Sequence, residues 1–287
     1  MIRATIAALL LLAFSPASAM AAEILVHDAK SQPESLAVAP DGSIYAGSAS
    51  SPFVYRIKKG ATAAEMFVDA SGEGAGTFFL GQLVQDGTLW TCQLMPTPGA
   101  TTRRSALRGF DLATGKETLR WDLPGENSTC NDFAVGPDKA LYISDTTNAK
   151  IYRLAPGAPS AELWMEHRLL NGIDGLTFLN GVLYVNNVLF NKLYRIPVDA
   201  SGKPGNPVDI WMDAPMRGPD GMRAAKGKLF VAANGTGTIV SLAIKGDRAH
   251  VTVLWDKLDT PTGVEPAGKT LWFTERGTGK VMSMPMP

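Results

Sequence analysis

Six copies of one phrase recur along this 287-residue chain: a polar entry, a short apolar run, a tight turn and a second apolar run. Glu34-Ser35-Leu36-Ala37-Val38 with Ser43-Ile44-Tyr45 opens the series, and Asn131-Asp132-Phe133-Ala134-Val135 with Leu141-Tyr142-Ile143 repeats it clearly. Asp220-Gly221-Met222 with Leu229-Phe230-Val231 is a third clear copy. Fainter copies start at Gln82, Gly175 and Thr262. The turn positions Asp41, Asp86, Asp138, Asn180, Lys226 and Gly268 are separated by 45, 52, 42, 46 and 42 residues. The long second interval contains an insert, Met95 to Arg104. Apolar residues alternate or run together rather than recurring every third and fourth position, which excludes a helical bundle. Short strands and turns at this period specify an all-β fold, a six-bladed β-propeller.

A second repeating set forms the outer edge of each blade. Met66-Phe67-Val68-Asp69, Leu119-Arg120-Trp121-Asp122, Leu163-Trp164-Met165-Glu166, Ile210-Trp211-Met212-Asp213 and Val253-Leu254-Trp255-Asp256 are the five copies. The last blade lacks one, and Ile24-Leu25-Val26-His27-Asp28 at the other end of the chain supplies it. The N-terminal strand is therefore expected to complete blade six and to remove an open sheet edge. Ahead of it, Met1-Ile2-Arg3, the apolar stretch Ile6 to Phe14 and the small residues around Ala19 and Ala21 read as a secretory signal, cleaved within residues 19–22. Residues 1–21 are thus expected to be a signal peptide, and 22–287 a single exported domain, periplasmic or secreted. No later segment is apolar enough to span a bilayer.

Lys plus Arg and Asp plus Glu are both 27, so the formal net charge is zero, with the charges scattered. Neither a nucleic-acid backbone nor a membrane face finds a matching surface. A monomer acting on a small molecule is expected. Arg103, Arg104 and Arg108 form a local basic cluster that reads as a solvated loop. Cys92 ends a strand in blade two and Cys130 begins one in blade three, on one face of adjacent blades. In an oxidising compartment they either bridge or remain two buried thiols. His27, His167 and His250 all belong to outer strands, far from any axis. A histidine metal site and a serine–histidine pair are therefore not expected, and a lyase, which would need a central histidine or tyrosine base, finds no candidate histidine.

The blade entries carry the chemistry. A propeller brings equivalent positions of its blades around one axis, and Glu34, Asn131, Asn171 and Asp220 open inner strands of four blades. Any one of them alone reads as an ordinary turn or strand-end residue. Four oxygen donors at matching positions suit a hard divalent cation, Ca²⁺ before Mg²⁺, Mn²⁺ or Zn²⁺. Blade four leaves two readings open. Asn171 matches by motif, whereas counting back from the following strand puts Asp174 in the register of Asp220.

Cys130-Asn131-Asp132, Asn171-Gly172-Ile173 and Pro219-Asp220-Gly221-Met222 resemble segments of the regucalcin/gluconolactonase family of six-bladed propellers, and the first is also similar to diisopropylfluorophosphatase. The resemblance implies Glu34, Asn131, Asn171 and Asp220 as ligands of a central metal. Two positions depart from it. Pro33-Glu34-Ser35-Leu36 replaces a Glu-Gly-Pro-aromatic pattern, and Thr129 stands where those members place an arginine that holds a sugar acid. The expected activity is metal-dependent hydrolysis of a lactone or similar small ester. Asp220 is the expected base or nucleophile, and Asp132 an adjacent carboxylate that orients ligands. The alternative is a non-catalytic exported propeller that binds a small ligand or a protein partner around a structural Ca²⁺.

Overall fold

The computed structural model describes residues 22–27 and 30–287; the expected signal peptide and Asp28 lie outside them. The described residues form six small sheets, antiparallel except for one parallel edge pair, and three short 3₁₀ turns. The innermost strands are Pro33–Val38, Phe78–Gln85, Cys130–Val135, Ile173–Leu179, Pro219–Ala225 and Pro261–Ala267. Each touches the next, and the last touches the first, so the six blades close a ring around one axis. No helix among the described residues is long and apolar enough to cross a membrane.

The core is divided as the alternating strands require. Each strand turns one set of side chains toward each neighbouring blade, so apolar residues gather in six clusters, one per blade interface. Leu176, Leu183, Val185 and Tyr194 of blade four pack on Tyr142, Ile151 and Met165 of blade three. Phe79, Leu89 and Phe110 of blade two pack on Tyr45, Val54 and Val68 of blade one. The inner hairpins turn through left-handed pairs at Asp86-Gly87, Asn180-Gly181 and Lys226-Gly227, the conformation that suits a two-residue hairpin.

The ring is closed as expected. Glu23–Leu25 pairs antiparallel with Lys280–Pro285, Ile24 opposite Val281. The Val26 N–H donates to the Gly279 carbonyl at 3.0 Å, and Ile24 and Val26 are buried against Leu36, Ile44 and Tyr55 of blade one. Cys92 and Cys130 form a disulfide with Cα atoms 5.2 Å apart, tying blade two to blade three.

Two expectations are corrected. Ile210–Asp213 is not the outer strand of blade four, whose short edge strand is Val208–Asp209. Ile210 is buried between the blades, and Trp211–Met212 crosses to pair in parallel with Arg248–Trp255 of blade five. A parallel partner there covers the edge that blade five would otherwise expose. The basic cluster is not a solvated loop either. The insert extends one long hairpin, Thr88–Pro96 with Arg103–Asp111. Arg108 is buried in it, paired with Glu73 and Glu117 at 2.8 Å and stacked on Phe110.

Candidate functional site: an acidic pocket on the propeller axis

Every inner strand breaks register at the same place. The pairing skips two residues in each blade: Glu34-Ser35, Leu80-Gly81, Asn131-Asp132, Asp174-Gly175, Asp220-Gly221 and Thr262-Gly263. A bulge bends the strand and re-aims its side chains. Bulge residues of all six blades line one tight axial pocket at the entry end. Its lining includes Glu34, Asn131, Asp132, Asp174, Asp220 and Thr262.

Glycine at four of the second bulge positions follows from the closeness of the blades. A Cβ on Gly175 would lie 2.5 Å from the Asp220 carbonyl oxygen, and one on Gly221 would lie 2.7 Å from that of Thr262. Residues of the neighbouring strand sit opposite these bulges and stitch the blades together. Ser144 Oγ accepts from the Asp132 N–H at 3.0 Å and donates to the Asp174 carbonyl of the next blade at 2.9 Å. Asn186 accepts from the Gly175 N–H and donates to the Asp220 carbonyl. Thr274 accepts from the Gly263 N–H at 2.7 Å and donates to the Glu34 carbonyl at 3.1 Å. Cys92 occupies this same position in blade two, so the disulfide replaces the hydrogen-bonded stitch at that junction.

The pocket gathers four carboxylates, of which Asp132 is paired with Arg223, and a carboxamide. Glu34, Asn131 and Asp220 are all 7 % exposed, and Asp174 is 6 % exposed. Asp220 Oδ1 accepts from the Gly221 N–H and Oδ2 from Asn234 Nδ2, both at 2.9 Å, which fixes its orientation. Asn131 Nδ2 donates to Thr146 Oγ1 at 2.9 Å, and the Asn131 side chain also hydrogen-bonds the Asp174 carboxyl. The acids are uncomfortable together. Burial first, then Asp220 and Asp132, raises the Asp174 carboxyl well above its ordinary range. Burial first, then Asp174 and Asp132, raises Glu34. Burial followed by Glu34 raises Asp220 against its hydrogen bonds. Desolvation and like charge both disfavour the ionised forms.

Of the residues expected at the axis, Glu34, Asn131 and Asp220 line the pocket, and Asn171 does not. Asn171 is exposed on the turn that ends Arg168–Leu170, and its carbonyl accepts from Asn187 Nδ2 at 2.7 Å. The register places Asp174 at the blade-four position equivalent to Asp220 instead, because the blade-four bulge lies three residues farther along than the Asn171 motif indicates. Asp132 also lines the pocket, but both its carboxylate oxygens are taken by Arg223, at 2.7 and 2.9 Å. His27 stacks on Tyr55, His167 caps the turn at Leu169 and His250 meets Asp213, all away from the axis.

Arg223 is a residue that the sequence reading missed. It rises from blade five into the axial channel and uses all five of its N–H donors. Besides Asp132 of blade three they reach Glu265 of blade six at 3.1 Å, the Met222 carbonyl at 2.9 Å and the Gln82 carbonyl of blade two at 3.1 Å. Beyond this cross-brace the channel widens into a cavity of about 300 Å³ at the opposite mouth, lined by Val38, Leu83, Phe133 and Phe178. The acidic pocket is thus walled off on that side.

The pocket's donors fit a hard cation by their chemistry: all are oxygens, three are anionic, and each anion is destabilised by the others. Among the described residues no three His, Cys, Asp or Glu side chains close on one point as a ready-made metal group. The four donors share a pocket without meeting at its centre. Asp174 and Asp220 instead share a hydrogen bond.

The strictosidine synthase-like N-terminal family matches residues 13–50, which hold the inner hairpin of blade one. No curated protein matches the chain. Among solved structures, a gluconolactonase from Xanthomonas campestris is similar over 93% of this chain and 90% of its own, with 17% identity and a TM-score of 0.69. A catalytically inactive virginiamycin B lyase from Staphylococcus aureus, solved with quinupristin, is similar over 93% and 99%, with 15% identity and a TM-score of 0.66. An auxiliary nutrient binding protein from Bacteroides ovatus is similar over 90% and 70%, with 13% identity and a TM-score of 0.70. At these identities the likenesses establish the propeller fold, which carries lactonase, lyase and binding proteins alike.

Proposed function

We propose that this chain is an exported, metal-dependent hydrolase of a lactone or similar small ester, with Glu34, Asn131, Asp174 and Asp220 as the oxygen ligands of a Ca²⁺-like cation. The observation that carries this reading is the axial pocket itself. Three buried carboxylates raised by one another are costly in a protein that does not use them, and clustered perturbed acids mark working sites. A lyase that needs a histidine base is disfavoured, because all three histidines lie away from the axis.

A divalent cation held there supplies Lewis acidity toward the ester carbonyl. The chain supplies the rest. Asp220, oriented by Gly221 and Asn234, takes the proton of the attacking water on a carboxylate oxygen. Asn131 and the stitch residues Ser144, Asn186 and Thr274 hold the bulges in place, so the pocket is preorganised by backbone rather than by mobile loops.

The test is a panel of lactones and aryl esters on Ca²⁺-loaded and chelated protein, with Asp220→Asn beside the wild type. Asp220→Asn is expected to lower kcat by about 10²–10⁴-fold at saturating Ca²⁺. Near-full activity in that variant removes Asp220 from the mechanism. A wild type that hydrolyses nothing with any divalent metal leaves the pocket as a binding or structural site.

A further inference from the structure

A second ring of side chains lies one step above the bulges. Ala49, Thr146, Val188, Asn234 and Arg276 each follow the second strand of their blade. Each donates its backbone N–H to the carbonyl of the residue immediately ahead of the inner strand: Gln32, Thr129, Gly172, Gly218 and Thr260, at 3.0, 3.0, 2.9, 2.8 and 3.1 Å. Five blades therefore present this position in one and the same way. In blades three and five the side chain reaches down to the bulge residue, Thr146 to Asn131 and Asn234 to Asp220. In those two blades the position borders the acidic pocket.

In blade six it carries an arginine. Arg276 is half-buried, and among the described residues its guanidinium makes no hydrogen bond or ion pair. Its charge nonetheless reaches the pocket, where it opposes the rise of the Glu34 carboxyl. The contrast with Arg223 is sharp, since every donor of that buried guanidinium is spent on the protein. A half-buried guanidinium with its donors unspent, at the position whose equivalents in blades three and five reach the pocket residues, is suited to a planar anion that bonds it bidentately. Without such a cation an anionic ligand would be repelled by Glu34, Asp174 and Asp220.

We infer that Arg276 is the specificity-determining residue of the entry face and takes a carboxylate of the ligand, so that the substrate is a small lactone or ester bearing a free carboxylate. The inference rests on the hydrolase reading for the word substrate; the carboxylate site itself does not. The ligand lies with its carboxylate toward blade six and its ester carbonyl toward the axis, over Asp220.

The experiment compares 4-nitrophenyl acetate with mono(4-nitrophenyl) glutarate on the Ca²⁺-loaded wild type, Arg276→Met and Arg276→Lys. The wild type is expected to prefer the carboxylate ester. In Arg276→Met the ratio of kcat/KM between the two esters should fall about 10–100-fold, mainly through KM, the scale of one lost charge-assisted hydrogen bond. Arg276→Lys should keep part of the preference, because it keeps the charge and loses the fork. Equal losses on both esters, or no preference in the wild type, overturn the inference. If neither ester is hydrolysed, the hydrolase reading fails and calorimetric titration with glutarate decides the carboxylate site. Binding that weakens in Arg276→Met upholds it, and absent or unaltered binding overturns it.

Discussion

The two halves of the axial channel are built from the same six strands and solve opposite problems. At the entry end, Glu34, Asp174 and Asp220 are buried with one another and, among the described residues, form no ion pair, and their protons are held more tightly than usual. A short step along the same strands, Arg223 meets two acids and two carbonyls with five donors and leaves none spare. A buried charge is tolerable when it is paired and fully hydrogen-bonded, and costly otherwise. One half of the channel is therefore a fastening and the other a site. The Arg223 brace joins blades two, three, five and six across the axis, which keeps the bulges above it in register while their acids have no ion-pair partner among the described residues.

The brace should break hardest. Arg223→Met keeps much of the volume but strands Asp132 and Glu265 in the channel. Breaking a buried pair by removing one partner costs about 3–5 kcal/mol, and that loss is expected in urea unfolding at pH 8. Adding Asp132→Asn and Glu265→Gln to Arg223→Met should recover a good part of it, because the stranded charges go. A single variant as stable as the wild type would show that the channel is wet enough to solvate both acids.

The acidic pocket should respond with the opposite sign. Asp220→Asn removes one of three mutually repelling carboxylates and keeps the shape, with Asn234 able to turn its amide and accept. In chelated protein at pH 8 the variant is expected to be more stable than the wild type, because burial and Glu34 disfavour the ionised Asp220 carboxylate that the variant lacks. Added Ca²⁺ should then stabilise the wild type and hardly affect the variant. A destabilised Asp220→Asn in chelated protein would mean that the Asp220 hydrogen bonds outweigh the repulsion.

How far the sequence discloses these two halves differs for a physical reason. Repeats are local, so the six blades, the N-terminal closure and the pocket residues Glu34, Asn131 and Asp220 can be read from spacing alone. The disulfide is half legible: a propeller places Cys92 and Cys130 on one face of adjacent blades, and only the coordinates pair them. Blade four misleads because Asn171-Gly172 and Asp174-Gly175 offer the same polar-glycine pair three residues apart. Only the pairing of Ile173 with Asn187 and of Leu176 with Val185 locates the bulge between them. Arg223 is illegible in the sequence, since its partner Asp132 is 91 residues away and nothing local announces the pairing. Arg276 could have been found by aligning the repeats at the ends of their second strands, where Thr146, Asn234 and Arg276 fall into one column.

The smallest expected effect lies where the two halves meet, at Glu265. Burial pushes its carboxyl up to about 7 despite the neighbouring Arg223, with Asp132 adding to the rise. The ordinary value for a glutamate is about 4.5. Between those two pH values the folded protein keeps the proton and the unfolded chain loses it. Stability from this group is therefore complete below about 4.5 and falls as the pH rises through about 7. Glu265→Gln keeps an oxygen for the Arg223 Nε donor and removes the titration. Unfolding midpoints of chelated wild type and variant at pH 4.5, 6 and 8 should diverge in the variant's favour as the pH rises. The difference between the two curves isolates Glu265 from the acids of the entry end, which titrate in both proteins. Parallel curves would place Glu265 on the satisfied side of the channel, ionised and fully paired, and would confine the unsatisfied acids to the entry pocket.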